Sequence, residues 1–109
     1  MTIHTIHKYN EIHLAEIMAE AAKIGNVTVS AYVDGDTIFC LEGVHRVEAA
    51  KRLQLPLIII SCELNDAFKH DLQDVDTNAT VADVYDYAYG SSLDGSTYSK
   101  HDFVSVEVR

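Results

Sequence analysis

The chain has 109 residues, 48% of them apolar, and carries 17 acids against 8 bases for a formal net charge of −9. That length supports one domain, 1–109, with a single core, and no apolar run reaches the roughly 20 residues of a bilayer-spanning helix. Seven acids and five bases lie in residues 1–62, ten acids and three bases in 63–109, so most of the surface repels duplex nucleic acid, which is bound through clustered Lys and Arg. Direct nucleic-acid binding is not expected, nor is a membrane partner. The segment from Met1 to His7 lacks the basic stretch and apolar run of a signal peptide, and a cytoplasmic address follows as the expectation.

Residues 2–7 read as a short strand. Asn10 can cap a helix to about Ile24, with Leu14, Ile17, Met18 and Ala21 as its apolar stripe. Gly25 and Asn26 end it with a left-handed cap. Val27, Val29, Ala31 and Val33 alternate as a half-buried strand. Asp34-Gly35-Asp36 makes a tight turn, and Thr37 to Leu41 returns antiparallel. Beyond Glu63 the pattern loosens: a helical turn around 67–72, a helix over 81–88 bearing Tyr85 and Tyr87, a loop from Gly90 to Lys100, and a last strand within 103–108. Cys40 and Cys62 fall in strands and read as small buried hydrophobes. His4, His7 and His13 lack the companions of a metal set.

Residues 38–60 are the most informative. An apolar strand enters Gly43, then His45 and Arg46 open a helix whose Val47, Ala50 and Leu53 share one face. Glu48 is expected to pair with Lys51 and Arg52 on the solvent side. Pro56 forbids continuation, and Leu57 to Ile60 reads as a strand buried on both faces. A glycine tolerates positive φ and close backbone approach. The helix start adds unpaired N–H groups and the positive end of a dipole. With His45 and Arg46 in that turn, the layout suits a phosphate. If the strand ends as drawn, Glu42 lies beside this cradle, where it could hold Mg²⁺, accept a proton or pair with Arg46.

The run Leu41-Glu42-Gly43-Val44-His45-Arg46-Val47-Glu48-Ala49-Ala50-Lys51-Arg52-Leu53 resembles the signature of the ParB/sulfiredoxin-like superfamily. Members carry an acid and a glycine, a variable position, His-Arg or Arg-Arg, then an alanine-bearing helix. The resemblance extends over residues 10–63, with an acidic extension at 64–109. It implies an α/β (α+β) fold, a small mixed sheet of about four strands with helices packed on it. It also implies a nucleotide (CTP, ATP or ADP, with Mg²⁺) held by Gly43, Val44, His45 and Arg46. Glu42 and His45 would then serve any hydrolysis or phosphoryl transfer. Sulfiredoxins place their reactive cysteine where Val44 stands, which excludes sulfinic-acid reduction here. The second nucleotide motif and helix-turn-helix of partition proteins are not found downstream. Two other readings compete: a non-catalytic acidic adaptor for a basic or DNA-associated protein, and a ParB-like nuclease. The nuclease reading lacks a carboxylate cluster suited to two metals.

Overall fold

The computed structural model describes residues 1–5, 9–40, 43–62 and 96–108. Glu42, His7, the helix expected over 81–88 with Tyr85 and Tyr87, and the turn at 67–72 lie outside the described residues. Among those described, the order is β1 (Thr2–Thr5), α1 (Glu11–Ile24), β2 (Val27–Asp34), β3 (Thr37–Cys40), α2 (Val44–Leu53), β4 (Leu57–Ser61), β5 (Ser96–Ser99), a 3₁₀ turn (Lys100–Asp102) and β6 (Val106–Val108). The fold is mixed α+β, with six described strands ordered β5-β1-β3-β2-β4-β6 rather than about four.

β1 runs parallel to β3 and antiparallel to β5, β3 antiparallel to β2, and β2, β4 and β6 parallel to one another. Each helix therefore joins two strands of opposite direction and steps over one strand between them. Both helices feed one cluster: Ala21 of α1 and Val47 and Ala50 of α2 pack with Ile3, Val27, Val29, Ala31, Ile38, Leu57 and Ile59. The alternation read in β2 holds, since Val27, Val29 and Ala31 are the buried set.

The caps follow the local chemistry. Asn10 Oδ1 accepts the N–H groups of Ile12 (2.9 Å) and His13 (3.2 Å) at the start of α1. At its end Gly25 turns left-handed, φ 88°, and donates to Ala21 O at 2.8 Å. α2 stops at Gln54, itself left-handed at φ 54°, two residues before Pro56.

Four expectations are corrected. Leu57 and Ile59 are fully buried, but Ile58 is half-buried and Ile60 is 45% exposed, so β4 is fully covered on one face only. The two described helices place their buried residues with Leu57 and Ile59, on that same face. Ser96 to Ser99, expected as loop from its polar composition, pairs with β1 in register Ile3↔Tyr98; tertiary pairing overrides a weak local preference. The last strand is only Val106–Val108, because Phe103 turns inward after the 3₁₀ turn. Glu48 does not face solvent.

Glu48 is 7% exposed and binds inward. Its Oε2 accepts the Tyr98 hydroxyl at 2.6 Å and its Oε1 accepts Arg52 Nε at 2.9 Å. Arg52 also donates to Tyr9 Oη at 2.9 Å and approaches Glu11 at 3.4 Å. One carboxylate thus ties α2 to β5, and its arginine ties α2 to the start of α1. The hydrogen bonds that Arg52 donates to Glu48 first, and then to Glu11, raise its pKa further.

β5 and β6 lie at opposite edges of the sheet, yet only residues 100–105 separate them. Five interstrand spacings across a flat sheet would need about 24 Å. Seven residue steps, three of them in a 3₁₀ turn, reach about 20 Å. The sheet must curl, and Tyr98 and Phe103 accordingly join the same core as Leu57 and Ile59.

Removing the Tyr98 hydroxyl should leave a buried carboxylate short of a donor. Tyr98→Phe is expected to lose about 1.5–3 kcal/mol in urea unfolding. In a double-mutant cycle with Glu48→Gln the two losses should fall short of additive; strict additivity would mean that the pair does not communicate.

Candidate functional site

The motif residues sit beside β2. Among the described residues β2 pairs with β3 at Tyr32↔Phe39, Val33↔Ile38 and Asp34↔Thr37. Val27 N donates to Pro56 O and Cys62 N to Ala31 O, both at 2.9 Å, so Val27 and Ala31 direct their backbone groups toward β4 and the chain beyond it. By strand alternation Thr28 and Ser30 direct theirs the other way, toward the β3 side. Two side chains reach them there. Arg46 Nη1 donates to Thr28 O at 3.3 Å, and Cys40 Sγ lies 3.9 Å from Ser30 O in a weak contact.

Gly43 enters α2 with φ 105° and ψ 19°. A Cβ there would lie 3.3 Å from Val29 Cγ1 and 3.5 Å from Cys40 Sγ. The need for glycine thus comes from the backbone angle and from the protein's own interior, which together account for it without a ligand. Among the described residues the helix that follows has no side-chain cap at its N-terminus, and it has no acid in its first turn.

His45 and Arg46 diverge. Arg46 is exposed and turns toward β2, while His45 turns toward α1. His45 Nε2 accepts the backbone N–H of Asn10 at 2.9 Å, which requires a neutral ring with its proton on Nδ1. Its ring meets that of His13 edge-on, centroids 4.4 Å apart. Val44 is buried, its side chain part of the interior. Of the five residues expected at the site, Gly43, Val44, His45 and Arg46 share one helical turn; Glu42 is outside the described residues. Among the described residues no three His, Cys, Asp or Glu come together as metal ligands, and no helix is long and apolar enough to cross a membrane.

Sequence reasoning missed the hollow beside Arg46. It has a volume of about 160 Å³ and lies between the second half of α1 and the start of β2, with Ile17, Ala21, Ile24 and Val27 as apolar walls. Exposed Ile24 was the available signal, because a helix stripe running Leu14, Ile17, Ala21, Ile24 outlasts the described core. In comparisons with known proteins, the chain matches no family model, no curated protein and no solved structure.

Gly43→Ala should cost about 1–3 kcal/mol in chemical denaturation, from the left-handed backbone and the contact with Val29; an unchanged midpoint would contradict this account. The His45 ring gives a pH signature. Burial first, then repulsion from His13, lower its pKa below 6.5. The unfolded chain therefore takes up a proton before the folded one, and stability falls as pH drops below 6.5 until the folded ring itself titrates. His4, its pKa lowered by burial, contributes with the same sign. His45→Gln keeps an acceptor for Asn10 but cannot titrate. Melting curves on either side of pH 6.5 should show a shallower acid loss for this variant than for the parent.

Proposed function

We propose that the chain binds a small phosphate-bearing ligand, a nucleotide, at the amino end of α2, with Mg²⁺ as counter-ion. The observation that carries this reading is the start of α2: a ten-residue helix entered through a left-handed glycine, uncapped by any side chain among the described residues and free of acids in its first turn. Such an end presents N–H donors and partial positive charge to an anion. Arg46 projects from that turn, and its bond to Thr28 O uses one of five guanidinium donors. The remainder suit the forked geometry of a phosphate.

The resemblance of residues 41–53 to the ParB/sulfiredoxin-like signature supports a nucleotide, CTP, ATP or ADP, over inorganic phosphate. In this reading Arg46 and the backbone at Gly43, Val44 and His45 hold the phosphates. The His45 ring, already engaged by Asn10, positions α1 against the site. Glu42, next to Gly43 in sequence, is the residue assigned to Mg²⁺ or to proton transfer if the ligand is turned over.

Calorimetric titration of the three nucleotides with Mg²⁺ tests this. Saturable heat with one of them is expected. Arg46→Ala should then weaken binding by about 1.5–3 kcal/mol, roughly ten- to hundredfold. Absence of heat with all three, or an Arg46→Ala protein that binds as tightly as the parent, would remove the reading.

A further inference from the structure

The hollow beside Arg46 points to a second kind of ligand. We infer that it binds a small amphipathic monocarboxylate, with the apolar body between α1 and β2 and the carboxylate on Arg46. None of Gly43, Val44 or His45 lines it, so the inference does not rest on phosphate binding at the helix end.

Size sets the first limit on the ligand. The hollow measures about 160 Å³, close to the apolar cavity of about 150 Å³ that takes up benzene in an unrelated protein. A ring or branched chain of about six to nine non-hydrogen atoms fills such a space. The walls suit that body: Ile17, Ala21 and Val27 are buried or half-buried, and Ile24 holds 61% of its surface in solvent beside them. Covering that surface removes apolar area from water, which is the driving force for the tail.

Charge sets the second limit. Arg46 lines the same hollow, and its planar fork matches a carboxylate in two-point contact. Glu20 also lines it and makes no ion pair among the described residues. Its negative charge opposes a second anionic group on the ligand, and it opposes a doubly charged phosphate more than a carboxylate. One cation, one opposing anion and apolar walls together select a monoanion with a greasy body.

Benzoate is the probe, with benzamide as its uncharged counterpart and isophthalate as its dianion. In two-dimensional amide spectra of the full chain, benzoate should shift Ile24, Asn26, Val27 and Thr28, saturating with a Kd on the order of 1 mM for about nine atoms. Benzamide and isophthalate should bind about tenfold more weakly, and Arg46→Gln should weaken benzoate by about the same factor. Ile24→Glu changes an exposed position, so it should keep the parent's melting temperature and lose benzoate binding. Equal affinity for benzoate and benzamide, or retained binding in Ile24→Glu, would overturn the inference. So would shifts confined to residues 43–47. That last pattern, produced by nucleotide or inorganic phosphate with the hollow silent to benzoate, leaves the helix-end site standing alone. Benzoate in the hollow with no response to any nucleotide gives the reverse.

Discussion

The close seating of α2 against β2 is the constraint around which the central part of the molecule is built. Among the described residues the β2–β3 pairing runs from Asp34↔Thr37 to Tyr32↔Phe39, and the carbonyls of Thr28 and Ser30 meet side chains, those of Arg46 and Cys40. Gly43 turns left-handed so that α2 can begin close against Val29, and Arg46, three residues on, reaches Thr28 O. The turn at 43–46 is therefore seated on β2 by its own packing, which fixes where the helix begins.

A second set of contacts fixes α2 in rotation. His45, Glu48 and Arg52 are spaced to share one flank of the helix. They reach, in turn, the amide of Asn10, the hydroxyl of Tyr98, and Tyr9 with Glu11. Two of the three partners belong to the entry of α1 and one to β5. That flank is thus polar, yet Glu48 is buried in it. Such an arrangement holds one angle of the helix rather than a range, because a buried carboxylate tolerates few alternative partners. Arg46, lying off this flank, is the cation of α2 that reaches the hollow beside α1.

Much of this was legible in the sequence. Asn10, Gly25 and the Asp34-Gly35-Asp36 turn announced α1 and the β2–β3 hairpin, because caps and turns are local chemistry. Val47, Ala50 and Leu53 announced the inner face of α2. What stayed hidden depended on distant partners. Ser96 to Ser99 looks like loop until β1 is beside it, and Glu48 looks solvated until Tyr98 arrives from 50 residues away. Leu57 to Ile60 looked doubly buried because four apolar residues in a row cannot reveal which face a helix covers. At the site, the grouping of Gly43 with His45 and Arg46 was readable from spacing. Their divergence was not, since it follows from the crossing of α1 over α2. The hollow at Ile24 was hidden for the same reason.

The short bridge from β5 to β6 has a kinetic meaning. Residues 96–108 supply both outer strands and close the curl between them, joining chain segments about a hundred positions apart in sequence, as when Tyr98 meets Ile3. Contacts of such long range are slow to form, because the loop must be closed before anything is gained. During synthesis, the margins of the described sheet gain these two strands only when this stretch has left the ribosome, after the hairpin and both described helices. Completion should come as one late, cooperative step rather than strand by strand.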